Sequence, residues 1–273
     1  MSTDNSAIAF IGGGNMASAI IGGLLRTGLP ASQIEVVEPW DEARARLHSQ
    51  FGITAQAQAG AALARCGLVV WAVKPQTFRD AAAPVRAHAS NALHLSVAAG
   101  IRSASIAQWL GTQRVVRSMP NTPALVGKGM TALFARTAVT PGDKTRVEQV
   151  IATTGQYLWV GAEEQLDAVT ALSGSGPAYV FFFLEAMTAA GMEMGLSREQ
   201  AHQLAVGTFV GASELARASD EPPEVLRQRV TSKGGTTYAA ITSMEHDGVN
   251  ALFIKALHAA RQRAKELGDE FGA

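Results

Sequence analysis

The feature that most constrains this chain is a glycine triplet placed between an apolar run and a helical pattern near its start. The apolar run covers 7–11, the glycines occupy 12–14, and apolar residues then recur at helical spacing. This order predicts a strand, a tight turn and a helix. With Ala17 the triplet completes a G-x-G-x-x-A pattern, whose glycines allow a sharp turn and leave backbone amides open to a diphosphate. The sequence therefore predicts a dinucleotide-binding turn at a helix N-terminus.

The composition argues against several classes of protein. The 23 lysines and arginines balance the 23 aspartates and glutamates, so no nucleic-acid partner is predicted. The single cysteine, Cys66, cannot form an internal disulfide and fits a reducing cytoplasm. No secretory signal is recognised at the start, and the longest uncharged run of the second half, 168–184, is interrupted and short for a membrane span. The histidines lack a metal-ligand spacing, so we expect a cytoplasmic protein without a metal or membrane partner.

The first half of the chain alternates apolar runs with helical patterns. Six further runs predict strands at 34–38, 68–73, 93–98, 114–119, 130–135 and 157–160. Asp41 and the Thr-Pro pair at 140–141 mark helix starts between them. This alternation predicts a doubly wound, mostly parallel sheet whose ligand lies beyond the carboxyl ends of the strands. We expect four loops that follow strands to gather at that edge. They contain Gly12, Lys74, Ala99 and Asn121.

After Gly161 the strand pattern stops. Helices are predicted at 163–172, 177–194, 197–219, 223–230, 236–246 and 249–267, the third with a capping box at Ser197. We therefore expect a dinucleotide-binding domain at 1–161 and an all-helical domain at 162–273. The helix around 180–184 is apolar on nearly every side, so it must be buried in its own domain or against a second subunit. A domain of about a hundred residues has little depth, which favours a dimer interface.

Two stretches of the second half have sequences that packing alone does not explain. The SGSGPAY stretch, 173–179, predicts a break before the most buried helix, either for close helix contact or to let a nicotinamide ring and a substrate approach the backbone. The TSKGGTT stretch, 231–237, opens a helix with hydroxyls and bare amides and no carboxylate, which predicts either a plain cap or a site for a small carboxylate. Glu163 either caps a helix or faces a cationic substrate nitrogen.

These motifs resemble those of a known family. IGGGNMASAI, AVKPQ, SVAAG, RSMPNTP, ALSGSGPAY and TSKGGTT occur in the order and approximate spacing seen in pyrroline-5-carboxylate reductases, and the resemblance covers nearly the whole chain. It implies an N-terminal Rossmann domain and an all-α C-terminal dimerisation domain, with dimers that often assemble into decamers. It also implies hydride transfer from NADPH or NADH to 1-pyrroline-5-carboxylate, which gives L-proline.

The candidate site residues follow from the motifs and from this resemblance. The glycine turn and the strand-end loops contribute Gly12, Gly14, Pro75 and Asn121 to cofactor binding, and the resemblance adds Gly13, Asn15, Met16, Val73, Lys74 and Ala99. The predicted substrate site contains Ser232, Gly234, Gly235, Thr236, Thr237 and Glu163. In the hypothesis, the amides of Gly235 and Thr236 hold the ring carboxylate. Thr237 bonds the ring nitrogen, and Glu163 adds a favourable field; both are the predicted catalytic residues.

The absence of a lysine between Lys144 and Lys233 bears on the chemistry. The β-hydroxyacid dehydrogenases resemble this architecture but use an interdomain lysine as acid or base. A keto or alcohol substrate needs such a group, because a proton moves at oxygen. The nitrogen of a cyclic imine can arrive already protonated, so positioning does most of the catalytic work.

Glu38 bears on which coenzyme the chain prefers, a property that cannot simply be transferred from the family. An acidic residue at the end of the second strand normally binds a ribose diol and repels a 2'-phosphate, which Arg44, Arg46 and Lys74 offset in part. We therefore expect NADH to serve at least comparably with NADPH. Two alternatives stay open: a reductase of another small imine or keto acid, and a non-catalytic NAD(P) sensor.

Overall fold

A computed structural model describes residues 7–272 of the chain, which pack as two compact units. Unit 1 combines the sheet region up to Ser175 with the segment from Ala260 onward, and unit 2 is Gly176–Ala259. The grouping keeps 162–175 with the sheet, and the predicted division after residue 161 stays a prediction. The prediction about a secretory signal rests on residues that lie mostly outside the described range.

Unit 1 is built on one seven-stranded sheet. Its strands are β1 Ala7–Ile11, β2 Ile34–Val37, β3 Cys66–Trp71, β4 Leu93–Ser96, β5 Val115–Met119, β6 Gly129–Ala135 and β7 Gly155–Trp159. Their spatial order is β2-β1-β3-β4-β5-β6-β7, and every neighbouring pair is parallel except β5 and β6. The predicted doubly wound, mostly parallel sheet is confirmed. The carboxyl ends of β1, β3, β4 and β5 share one edge, as expected of parallel neighbours.

Helices cover both faces of this sheet. Those of unit 1 are α1 Asn15–Arg26, α2 Asp41–Phe51, α3 Pro75–Ala89, α4 Ser103–Leu110, α5 Pro141–Ile151 and α6 Gln165–Val169. Alternation along β1 explains the two layers: Ile8 and Phe10 join a core with α1, α2 and α5, while Ala9 and Ile11 join a core with α3 and α4. At the start of α5, Thr140 and Asp143 form the reciprocal bonds of a capping box.

Unit 2 is entirely helical in its regular structure. Its helices are α7 Gly176–Glu193, α8 Arg198–Ala218, α9 Pro223–Arg229, α10 Thr236–His246 and α11 Val249–Phe271, the last of which continues into unit 1. The predicted capping box at Ser197 is formed with Gln200. Among residues 7–272, no helix combines the length and apolar character needed to cross a membrane.

The structure narrows the prediction of a buried α7. Only Thr188 and Gly191 of this helix are buried in the single chain, whereas Phe181 and Phe182 are 57% and 67% exposed. Burial within its own domain is therefore wrong, and burial against a second subunit stays a prediction. The predicted break before it is a π-helical turn, Thr170–Gly174, so the chain stays helical almost throughout this stretch. Gly174 lets the end of the Met119 side chain pack against this turn, because a Cβ there would lie 2.3 Å from Cε of Met119.

His94 is buried in the middle of the sheet, and its burial should make the free energy of unfolding depend on pH. Its Nδ1 accepts a hydrogen bond from Nε1 of Trp71 at 3.0 Å, and burial lowers its pKa from 6.5 to about 4. The unfolded chain therefore binds more protons between these values, so the free energy of unfolding falls as pH drops from 6.5 to 4, by about 3 kcal/mol in total.

The measurement is urea unfolding across this pH range. His94→Gln, which keeps a hydrogen-bond acceptor but does not titrate, should show a shallower pH dependence than the parent. His48→Asn, at an exposed histidine, is the control and should keep the parental slope. Equal slopes in the parent and His94→Gln would contradict the prediction.

Candidate dinucleotide and substrate site

The glycine turn between β1 and α1 leaves a bare, open helix N-terminus. Gly12 has a φ of +95°, and a Cβ there would lie 2.6 Å from the carbonyl oxygen of Ala72, so only glycine fits. Gly14 is the N-cap of α1, contributes no side chain, and has no atom within 4 Å of the position its Cβ would take. Asn15 is exposed beside it, and Met16 is half-buried against the core. Such an N-terminus suits a diphosphate.

A cavity of about 770 Å³ opens in front of this turn, at the carboxyl ends of β1, β2 and β3. Its volume lies in the usual range for small-molecule sites. Predicted cofactor residues that line it are Gly12, Gly14, Glu38, Val73 and Lys74. Lys74 is the N-cap of α3, and Pro75 is the first residue of that helix. The residues present therefore fit a dinucleotide.

Trp40 is a cavity residue that the sequence interpretation missed. Its side chain lines the cavity and is 75% exposed, which is unusual for an aromatic ring. A broad apolar face at this place suits a flat base. The available signal was a tryptophan immediately after the acidic end of the second strand.

Glu38 connects the glycine turn to the start of α2. Its Oε2 accepts a hydrogen bond from the amide of Gly13 at 2.7 Å, and its Oε1 accepts one from the amide of Trp40 at 3.0 Å. The residue is buried. Arg44 donates to the carbonyl oxygens of Glu38 and Pro39 and pairs with Asp41, so its charge already has partners. Arg46 is exposed on the same helix. Ribose binding by Glu38 stays a prediction.

The predicted cofactor residues after β4 and β5 lie at the same edge of the sheet. Ala99 is half-buried in the turn after β4, beside Gly100 with a φ of +74°. The side chain of Asn121 is used within unit 1: its Oδ1 accepts from the amide of Met130 at 2.9 Å, and its Nδ2 donates to the carbonyl of Ser173 at 3.3 Å. Asn121 thus ties two loops together, and its contact with a cofactor stays a prediction.

Glu163 is held by a network of hydrogen bonds inside unit 1. Its Oε1 accepts from the amide of Ser103 and from Arg117, and its Oε2 accepts from the Ser103 hydroxyl, each at 2.6 Å. Burial by itself raises the pKa of Glu163, but the bonds from Ser103 and the Arg117 charge outweigh burial and keep the pKa below its usual value. Glu163 therefore caps the N-terminus of α4, one of its two predicted roles. Its contact with a substrate stays a prediction.

The start of α10 in unit 2 has no anion of its own. Gly235 is the N-cap, Gly234 has a φ of +77°, and the first turn contains no acidic residue and no side-chain cap. The hydroxyl of Thr237 makes no hydrogen bond within the described part of the chain. Ser232 stays close, because its Oγ lies 2.7 Å from the position of a Cβ on Gly235. The plain cap considered from the sequence is not formed. The prediction for the Gly235 amide is wrong, because it donates to the carbonyl oxygen of Ser232 at 3.0 Å. The Thr236 amide, at the first position of the helix, stays open to an anion.

The sheet, its glycine turn and its edge cavity define a dinucleotide-binding protein of Rossmann type with an added helical unit. Two family models match: NADP oxidoreductase, coenzyme F420-dependent, over residues 7–100, and pyrroline-5-carboxylate reductase dimerisation over residues 163–267. The chain is 46% identical to a pyrroline-5-carboxylate reductase of Pseudomonas aeruginosa over 269 residues, which cover 97% of this chain and 98% of that protein. The chain belongs to the pyrroline-5-carboxylate reductase family.

Two solved structures superpose on nearly the whole of this chain. A pyrroline-5-carboxylate reductase from Coxiella burnetii superposes with a TM-score of 0.90 at 38% identity, covering 97% of this chain and 99% of that one. The Plasmodium falciparum pyrroline carboxylate reductase, crystallised with NADP bound, gives a TM-score of 0.87 at 28% identity, again over 97% and 99% of the chains. The resemblance stated from the sequence motifs is confirmed.

Proposed function

We infer that this chain is a pyrroline-5-carboxylate reductase, which reduces 1-pyrroline-5-carboxylate to L-proline at the expense of NADPH or NADH. The observation that carries this inference is the start of α10. Within residues 7–272 the Thr236 amide and the Thr237 hydroxyl have neither a counter-ion nor a side-chain cap, in a chain of a family named for a cyclic imine that carries a carboxylate. We also propose that the reaction takes place in the cytoplasm.

The substrate is held by unit 2 in this proposal. The amide of Thr236 binds the ring carboxylate, with Ser232, Gly234 and Gly235 shaping the turn around it. The Thr237 hydroxyl accepts a hydrogen bond from the protonated ring nitrogen. Because that nitrogen already carries its proton, addition of a hydride to the neighbouring carbon gives the secondary amine without a side-chain acid or base. Thr237 acts by orientation.

The nucleotide is held by unit 1. The open amides at the start of α1 bind the diphosphate, and the 12–14 turn, Asn15 and Met16 form that wall of the cavity. Val73, Lys74 and Pro75 flank it on the next strand, and Ala99 and Asn121 lie after β4 and β5. When bound, the reduced nicotinamide supplies the hydride. The chain positions the nucleotide and excludes water from it.

A panel of acceptors tests this function against the open alternatives. Nicotinamide absorbance is followed with the imine acid, with the same imine lacking the carboxylate, and with a small 2-keto acid. We expect fast oxidation with the first only, since the other two lack either the carboxylate or the protonated nitrogen. Faster turnover of the keto acid would favour the keto-acid alternative, and nucleotide binding without any turnover would favour the sensor.

Glu38 is proposed to favour NADH. Glu38→Gln removes a negative charge close to where a 2'-phosphate would sit, while one oxygen remains to accept from Gly13 or Trp40. The ratio of kcat/KM with NADPH to kcat/KM with NADH should rise about fivefold, since removal of a like charge near the surface contributes roughly 1 kcal/mol. Glu42→Gln, at an exposed acid of α2, should leave the ratio unchanged. An unchanged ratio in Glu38→Gln would remove this residue from coenzyme selection.

The chain works as a homo-oligomer, and we propose that its unit is a dimer that assembles further into a decamer. Support comes from α7, whose apolar side chains are exposed in the single chain, and from the match to a dimerisation model. A second copy covering these side chains would remove a large apolar surface from water. Sedimentation equilibrium measures the assembly mass, and a monomer would contradict the proposal.

A further inference from the structure

The loop between β4 and α4, residues 97–102, is held in position by contacts with distant parts of the chain. It contains Ala99, which the proposed function places at the cofactor, and Gly100 in the left-handed region. The helix that follows begins after Arg102 with no side-chain cap of its own. The amide of Ser103 is satisfied instead by Glu163, sixty residues away in sequence. Distant parts of the chain therefore decide where this loop lies.

The last turn of α11 provides a second set of distant contacts. We call the residues that contact the loop or α4 the α11 clamp; they are Leu267, Gly268, Asp269, Phe271 and Gly272. A Cβ on Gly100 would lie 3.2 Å from Cβ of Leu267, so the clamp packs directly on the loop backbone. The hydroxyl of Ser105 donates to the carbonyl oxygen of Gly272 at 2.5 Å. These contacts hold the left-handed residue of the loop and the first turn of α4.

Arg102 links the loop to both the α11 clamp and α6. Its guanidinium lies flat against the helix backbone, 3.0 Å from the position of a Cβ on Gly268. Its Nη2 pairs with Asp269 at 3.3 Å, and its Nη1 pairs with Asp167 of α6 at 3.5 Å. The Arg102 side chain is 23% exposed. A residue larger than glycine at 268 would require the guanidinium to shift from its position between the two carboxylates.

We propose that the α11 clamp is a positioning element for nucleotide binding, acting through Gly100 and Arg102 on Ala99. The inference rests on the proposed function for the position of Ala99 at the cofactor. A displacement of about one ångström at a binding loop is enough to lower activity strongly. The residues of the α11 clamp belong to none of the family motifs, yet in this proposal they set the position of the loop that contacts the cofactor.

The test compares two clamp variants with a matched control. Gly268→Val displaces the Arg102 guanidinium, and Asp269→Asn removes one of its carboxylate partners. Glu270→Gln is the control, because Glu270 is the next residue, is exposed, and pairs with Arg263 of its own helix. The readouts are the dissociation constants of NADH and NADPH by fluorescence titration, and amide hydrogen exchange of residues 97–105.

In Gly268→Val we expect both dissociation constants to rise about tenfold and the loop amides to exchange faster. Asp269→Asn should show the same changes at about twofold, and Glu270→Gln should match the parent. Parental affinity and exchange in a folded Gly268→Val would overturn the proposal. If Gly268→Val does not fold, parental values in Asp269→Asn overturn it. Because binding is measured without the imine, failure of the proposed function would be seen separately, as a parent that binds nucleotide but does not reduce the imine.

Discussion

Thr237→Ala is expected to lower kcat/KM for 1-pyrroline-5-carboxylate by up to about a hundredfold. A hydrogen bond to a charged group contributes roughly 1.5–3 kcal/mol, and here the charged partner is the protonated ring nitrogen. The hydroxyl of Thr237 makes no bond within the described chain, so its removal should not disturb the fold. Steady-state kinetics with saturating NADPH measures the effect, and the dissociation constant of the nucleotide should stay unchanged.

Two further variants sharpen this prediction. Thr237→Ser keeps the hydroxyl and should recover most of the lost kcat/KM. Thr242→Ala makes the same chemical change at an exposed position further along α10 and should behave like the parent. Parental kcat/KM in Thr237→Ala would remove this residue from the mechanism.

Gly14→Ala is expected to weaken nucleotide binding on the order of fiftyfold without loss of stability. The backbone of Gly14 is extended, with φ −74° and ψ −170°, and no atom lies within 4 Å of the position its Cβ would take. An added methyl is therefore accepted by the free protein. In the complex it would occupy the space in front of the α1 amides, where overpacking costs roughly 1–3 kcal/mol.

The measurement is calorimetric titration with NADPH and NADH, together with the Tm of the free protein. Gly142→Ala is the control, since Gly142 also has room for a methyl but lies in the first turn of α5, outside the cavity. Gly12 would be a poor choice, because its positive φ and its contact with Ala72 would disturb folding itself. Unchanged affinity in Gly14→Ala would show that the diphosphate does not approach this turn.

Most secondary structure could be predicted because its signals are local. Buried parallel strands are continuous apolar runs, so β1 and β3 stand out from their surroundings. The bounds of α10, Thr236–His246, match the prediction at both ends, because a pair of glycines precedes the helix and a glycine follows soon after it. The capping box at Ser197 involves residues three apart and was equally readable. At Thr140 the sequence indicated the helix start, and the structure adds the reciprocal bond from Asp143.

The remaining features depend on contacts between distant residues. Ser103 and Arg117 hold the carboxylate of Glu163. Met130 and Ser173 hold the side-chain amide of Asn121. No spacing in the sequence indicates these partners. Apolar character around all of α7 was recognised, but periodicity cannot tell burial inside one chain from burial against a second copy. The packing of the Met119 side chain against Gly174 in the π-helical turn Thr170–Gly174 also joins residues that are far apart in sequence.

The most direct test of the account follows a label from nucleotide to product. NADPH or NADH carrying deuterium at the transferable position of the nicotinamide is incubated with the chain and 1-pyrroline-5-carboxylate, and the product is analysed by mass spectrometry and NMR. We expect L-proline with one deuterium, on the ring carbon that was double-bonded to nitrogen. Deuterium at another carbon, or nucleotide oxidation without labelled proline, would contradict it.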